Sequence, residues 1–369
     1  MSDVVIIGSG ISGMLVAREL CAENMSVTIV ERTVQTGQES SWAGGGIISP
    51  LYPWRYDESV SRLAQWSQQR YQNLCDALLR ETGIDPEWTQ SGLLIMTDEL
   101  EPAQHWAKAF GQSLDIVDRK AIGEIEPAFK NVSDQGVWLP EIAQVRNPRL
   151  VKALKASLEN LGVRFVTDNE AQGFIVAKGK IQGLKTSQGD IMADKVVVAS
   201  GAWSRQLLAA VDQNPPMVEP VMGQMLLFKA IPGLLKRIVL SEQRYIIPRR
   251  DGRILVGSTL EHVGFNKQIT EAARDDLYAT ALKLVPVLRD WPIEHQWAGL
   301  RPGSPQSIPY IYEHSEISGL YVNCGHYRNG VALGPASAHL LVDQMLNRTP
   351  ILPVEAYALH VRETDAVID

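Results

Sequence analysis

Cysteine is scarce in this chain. Cys21, Cys75 and Cys324 are its only three, far apart, with no CxxC pair and no metal-type spacing, so neither a disulfide framework nor a thiolate metal site can be read from them. Such usage fits a reducing cytosol. Positive charge is also short: the formal net charge is -7 and no Lys/Arg-rich block occurs, which removes the electrostatic footprint that nucleic-acid binding requires. The partner to expect is a small molecule. No uninterrupted apolar stretch approaches the roughly 18 residues of a spanning helix. The N-terminus enters the strand-like Asp3-Val4-Val5-Ile6-Ile7 without the basic region, apolar stretch and cleavage site of a secretory signal. A soluble, cytoplasmic protein is the expectation. P-loop, HExxH and GxSxG are all missing, which leaves NTPase, zincin and α/β-hydrolase readings without a motif.

What is present is an ordinary globular composition, 45% hydrophobic and 21% charged over 369 residues, long enough for two lobes rather than one core. The opening reads strand, glycine turn, helix, strand: Val4 to Ile7, Gly8-Ser9-Gly10-Ile11-Ser12-Gly13, Met14 to Glu23, then Val27 to Glu31. In such a βαβ unit Gly8 permits the tight turn, Gly10 lets backbone approach a pyrophosphate and Gly13 lets the helix pack on the sheet. The helix N-terminus then faces the anion. Glu31, closing the second strand, is placed to accept from a ribose diol. An adenine dinucleotide is implied; the alternative is a tight glycine turn that binds nothing.

The motif alone does not separate FAD from NAD. Three features favour FAD: the unit begins at residue 3, Arg32 follows Glu31, and a second glycine-rich segment, Ser40-Ser41-Trp42-Ala43-Gly44-Gly45-Gly46, lies shortly beyond. An extended FAD needs more backbone donors and close approaches than one turn supplies. The competing reading of that segment is a flexible surface loop.

Further along, helical periodicity spans Ser59 to Glu81, and a strand is expected over Gly92 to Thr97 and a helix over Glu101 to Gly111. An irregular Pro/Trp stretch runs from there through Pro148. An α/β pattern resumes with a helix over Arg149 to Leu161 and the apolar Lys195 to Ala199, which ends in Ser200-Gly201-Ala202-Trp203-Ser204 at the expected ligand edge of a parallel sheet. The Asp251-Gly252 pair between Tyr245-Ile246-Ile247 and Arg253 to Gly257 marks a hairpin. A helix follows over Ala272 to Leu288. The chain closes with a strand over Leu320 to Asn323, a glycine turn over Gly325 to Gly330 and a helix over Ser337 to Leu346. No second GxGxxG appears, which argues against a flavin reductase with its own nicotinamide domain.

These pieces, together with Trp297-Ala298-Gly299-Leu300-Arg301-Pro302 and Cys324-Gly325-His326-Tyr327-Arg328-Asn329-Gly330, resemble the glycine oxidase and D-amino-acid oxidase group of flavoproteins, and within it the glycine oxidases linked to thiamine synthesis. The resemblance spans nearly the whole chain. It implies an α/β fold: a Rossmann-like FAD-binding domain (1–83, 145–216 and 312–369) with an inserted α+β substrate domain (84–144 and 217–311) on a mostly antiparallel sheet. It places noncovalent FAD against Gly8, Gly10, Ile11, Ser12, Gly13, Glu31, Arg32, Glu39, Ser40, Ser41, Gly44, Gly45, Gly46, Ala171, Ser200, Gly201, Trp203, His326, Tyr327, Arg328, Asn329, Gly330, Val331 and Ala332. The substrate carboxylate falls to Arg301, helped by Tyr245 with Arg328 nearby. Trp42 and the three glycines depart from the alanines common in relatives, and the cysteine that carries covalent flavin in sarcosine oxidases has no counterpart after Arg301.

Physical reasoning meets the same residue. Arg301 follows an apolar run that should be buried, and a buried guanidinium without an anion is costly. A substrate carboxylate suits its planar fork; an internal salt bridge is the alternative. Tyr245 is either a second carboxylate donor or plain sheet core, Arg328 contacts substrate, flavin or only protein, and His326 is given no proton-transfer role. The expected reaction moves a hydride from the substrate α-carbon to flavin N5, with a small amino acid and O2 as partners, no acid/base residue, no metal, and a homo-oligomer, tetramer or dimer, as the assembly. The rivals are a D-amino-acid dehydrogenase with a quinone acceptor and a non-catalytic flavoprotein scaffold.

Overall fold

A computed structural model describes residues 2–130 and 133–359; the end of the 312–369 segment therefore lies outside the described residues. Two eight-stranded sheets organise the chain. In the first, β1 (Ser2–Ile7) leads through Gly8-Ser9-Gly10 into α1 (Ile11–Ala22) and returns as β2 (Val27–Val30). β1 pairs in parallel with β2 on one side and with the Ile191–Val198 strand on the other. The Leu320–Cys324 strand extends the sheet beyond Ile191–Val198, and Arg164–Val166 flanks β2. The central stretches of these strands, Val4 to Ile7 and Val196 to Val198, are apolar and buried because both faces are covered, as parallel sheets require. The connections diverge on either side of β1, so a crevice opens at its carboxyl end, where Gly8 and Ser200 sit.

The second sheet runs antiparallel except where Ile238–Ser241 meets Leu93–Met96. Its longest pairing joins Glu219–Lys229 to Ile293–Gly303, with Val221 opposite Arg301 and Gly223 opposite Gly299. The expected hairpin is formed by Arg244–Pro248 and Arg253–Gly257 around Gly252, whose φ is +88°. Among the described residues no helix is long and apolar enough to cross a membrane.

Two expectations need correction. The stretch read as irregular contains Asp115–Asp118, a helix over Arg119–Ile125, and Gln135–Leu139; Asp118 caps that helix by accepting from the Ala121 N–H, a signal outweighed by the Pro and Trp around it. The closing helix runs from Gly330 to Met345, seven residues earlier than expected, with Pro335 inside it. Pro335 has no N–H to give to the Val331 carbonyl, and Tyr71 supplies a donor instead, its hydroxyl 2.8 Å from that oxygen. Ser67 likewise accepts from the Ala336 N–H. Both partners come from the Glu58–Thr82 helix, so tertiary contacts repair what the local sequence breaks.

Gly8 and Gly13 pack as closely as expected. A Cβ on Gly13 would lie 2.1 Å from the Gly8 carbonyl oxygen, and one on Gly8 would lie 2.5 Å from that of Ala199. Gly13→Ala should therefore lift α1 from the sheet and lower stability by about 1–3 kcal/mol, seen as a lower denaturant midpoint at unchanged slope; an unaltered midpoint would contradict the close packing.

Candidate active site

A cavity of about 390 Å³ runs from the Gly8 turn to the second sheet and is lined by residues of both. At one end the first turn of α1 presents N–H groups that the helix itself cannot satisfy; the Ile11 N–H already reaches the Ser41 hydroxyl at 2.9 Å. Glu31 borders the cavity and also braces the turn, accepting from the N–H and hydroxyl of Ser9 and of Thr33. Arg32 lies 3.6 Å from the centre of the Trp203 ring and pairs with Glu39 at 2.9 Å. The segment after Thr259 crosses back from the second sheet at this edge, where Lys267 meets Glu39 at 2.9 Å and Phe265 packs on Trp203 with centroids 5.3 Å apart.

The glycine-rich segment forms a short helix, Ser40–Ala43, followed by Gly44 to Gly46 on the cavity wall. It is not a loose surface loop. The Asn147 amide donates to the Ser41 carbonyl, the Trp297 indole N–H to the Ala43 carbonyl, and the Ser40 hydroxyl to the Leu300 carbonyl. A Cβ on Gly46 would lie 2.0 Å from the Val145 carbonyl oxygen, and one on Gly45 2.8 Å from Ile247. The glycines thus serve packing within the protein as well as the approach of a ligand.

The other end is built on one face of the second sheet. Arg301 lies diagonal to Gly223, where a Cβ would sit 2.2 Å from both guanidinium nitrogens. Gly257, between Met225 and Tyr245 in register, lets those two side chains meet, the Tyr245 hydroxyl lying 3.2 Å from the Met225 sulfur. Strand glycines of this kind mark close approach by a neighbouring group. Arg301 donates to the Ser258 hydroxyl at 2.6 Å and, more distantly, to the Met222 and Thr259 carbonyls, each at 3.3 Å. Among the described residues it forms no ion pair with a carboxylate. Burial lowers its pKa, with Arg328 adding to the effect, yet its side chain still opens onto the cavity. Arg328 lines the same cavity without an ion pair among the described residues.

Most residues singled out from the sequence meet at this cavity. Gly13, Asn329 and Ala332 stand behind its wall: Gly13 packs on the turn, and Asn329 and Ala332 are buried where the last helix begins. Sequence reasoning missed Gly223 and Met225, whose strand lacked a turn signal to frame it, and Asn147, Asn169, Gln206 and Asn323, polar residues that no local pattern marks. Asn147 Oδ1, His326 Nε2 and both side-chain polar atoms of Asn323 are buried without a hydrogen-bond partner. Orphaned polar atoms along a glycine-lined crevice fit an extended, hydrogen-bonding dinucleotide.

The family model for FAD dependent oxidoreductases matches residues 3–344, and the chain belongs to that family. FAD is its cofactor. Among relatives, the chain is 46% identical to a glycine oxidase of Pseudomonas aeruginosa over 96% of this chain and 98% of that protein. It is 33% identical to the bifunctional protein ThiO/ThiG of a Nostoc species, over 94% of this chain and 53% of that protein. Among solved structures, glycine oxidase from Bacillus cereus superposes with a TM-score of 0.90 at 30% identity, covering 99% of this chain and all of that one.

Two tests follow from the geometry. Gly223→Ala should displace the Arg301 guanidinium, so that small carboxylates, read through their perturbation of the flavin absorbance, bind at least about tenfold more weakly while FAD is retained; undiminished binding would refute the packing argument. Burial lowers the His326 imidazole from 6.5 to about 4. The unfolded chain then binds more protons between these values, so stability falls as pH drops through that window. His326→Asn should flatten the dependence by up to about 1.4 kcal/mol per pH unit, measured by denaturant unfolding at several pH values, and an unchanged slope would count against a neutral buried imidazole.

Proposed function

We propose that this chain oxidises the carbon–nitrogen bond of glycine and other small amino acids, including sarcosine and small D-amino acids, with O2 as acceptor. Glycine, O2 and water go to glyoxylate, ammonia and H2O2, and the imine formed on the way is available to thiazole synthesis. The observation that carries this reading is Arg301, a partly buried, fork-shaped cation that opens onto the cavity without pairing with a carboxylate among the described residues. A single small carboxylate matches it in charge and in geometry.

The division of labour follows the sheets. The segments 1–83, 145–216 and 312–369 form the FAD-binding domain in this reading, and 84–144 and 217–311 form the substrate domain, in support of which the core strands of the two sheets fall on either side of that division. The Gly8-to-Ser12 turn and helix start take the pyrophosphate, Glu31 and Arg32 with Ala171 and Trp203 the adenosine side, and Gly44 to Gly46 with His326 to Val331 the ring end. The chemistry supplied by bound, noncovalent FAD is acceptance of two electrons from the substrate, later passed to O2. The protein's own task is placement: Arg301 and Tyr245 grip and orient the carboxylate, Arg328 adds positive charge, and the walls of the two sheets exclude water. The proton balance asks nothing of His326.

Free cysteines at positions 21, 75 and 324 are consistent with a reducing cytoplasm. A homo-oligomer, tetramer or dimer, rests on the family resemblance, and light scattering of the purified protein reads it.

An anaerobic screen of glycine, sarcosine and D-amino acids should bleach the flavin absorbance, with peroxide formed on admitting air; turnover with a quinone alone would favour a dehydrogenase. Arg301→Ala should keep its yellow cofactor and raise KM for glycine by about 100-fold or more. Glycine kinetics matching those of the unaltered enzyme would remove the carboxylate clamp.

A further inference from the structure

Arg249 follows the Arg244–Pro248 strand and does not line the main cavity. It is largely but not fully enclosed, burial together with nearby Arg146 lowers its guanidinium to about 10, and among the described residues it forms no ion pair. Glu87 and Asp251 act on it only at a distance, so this largely enclosed cation is held by its hydrogen bonds rather than by a paired carboxylate. Its donations go to the Gln144 side chain at 2.7 Å, the Val145 carbonyl at 3.0 Å and the Gly45 carbonyl at 2.8 Å.

The last of these is informative because Gly45 and Gly46 form part of the cavity wall. In a planar trans peptide the C=O and N–H bonds point in opposite directions. With its oxygen held by Arg249, the Gly45–Gly46 peptide turns the Gly46 N–H away from that side chain, and this N–H has no protein acceptor among the described residues. The neighbouring Val145 N–H to Gly46 carbonyl bond, 2.9 Å, fixes the next peptide in turn. We propose that Arg249 is a positioning residue that locks the Gly45–Gly46 peptide so that the Gly46 N–H is offered to the ring end of the flavin cavity, with the cation on the carbonyl polarising that donor. A charge on one end of an amide strengthens the hydrogen bond made at the other.

A second cavity, about 150 Å³, is lined by Arg249 together with Thr89, Ser91, Gln144 and Lys236. It gives a small cation a route to this position when the side chain is removed, so the idea can be tested by chemical rescue. The holoenzyme of Arg249→Ala is expected to bind FAD about tenfold more weakly, with a displaced visible absorption band and a lower flavin midpoint potential. Millimolar guanidinium chloride should return all three toward the wild-type values, while equal sodium chloride does not and the wild type does not respond. Wild-type affinity and spectrum in Arg249→Ala, or changes that guanidinium leaves untouched, would overturn the proposal.

Should Arg249→Ala not fold, Arg249→Lys keeps the charge with fewer correctly placed donors. It is expected to show the same spectral displacement at smaller amplitude, and an unperturbed spectrum would be equally damaging. The inference rests on the cavity being the flavin site of the proposed oxidase. Wild-type protein that takes up FAD but oxidises no amino acid would defeat that reading while leaving this one standing, and wild-type protein that takes up no FAD would defeat both.

Discussion

The arrangement depends on keeping one guanidinium, that of Arg301, partly buried, without an ion pair among the described residues, and correctly aimed. Removing a cation from water is expensive, and an internal carboxylate would relieve the cost while filling the place meant for a ligand. The protein instead gives Arg301 a hydroxyl and two carbonyls, enough to hold it without neutralising it. The sheet beneath is stripped of side chains where the group must lie, at Gly223, and where Tyr245 and Met225 must meet, at Gly257. In the proposed function, substrate recognition is as much a property of absent methyl groups as of the arginine itself.

Aim also requires that the two sheets keep their places. Short ties between them converge on the cavity: the Ser40 hydroxyl on the Leu300 carbonyl, the Trp297 indole on the Ala43 carbonyl, and the Tyr327 N–H on the Pro302 carbonyl at 2.9 Å. Each joins a residue adjoining the Arg301 strand, or within it, to one on the cofactor side. At the outer edge the Lys267–Glu39 ion pair and the Phe265–Trp203 contact make a further crossing. Exposed ion pairs contribute little individually, so the buried backbone acceptors carry most of this registration.

The legible parts of the sequence were those whose physics is local. A glycine turn between two apolar strands, an Asp-Gly hairpin and an arginine after an apolar run each carry their constraint within a few residues, and Gly8, Gly252 and Arg301 stand where that reasoning puts them. What could not be read depends on distant partners. The last helix continues through Pro335 because Tyr71 and Ser67, more than 250 positions away, supply the missing hydrogen bonds. Gly223 has meaning only once the Ile293–Gly303 strand lies beside it. No local pattern marks Arg249, because its three acceptors lie more than 100 positions away.

The order of strands in the first sheet has a consequence for how the molecule is made. β1 lies between β2 and a strand about 190 positions later, and α1 packs on the Gly330–Met345 helix. Long-range pairing of this kind is slow and must wait for its partners. The crevice at the carboxyl end of β1 therefore has no finished walls until residues near 330 have been synthesised, and anything held there must wait for the strand and helix that complete them.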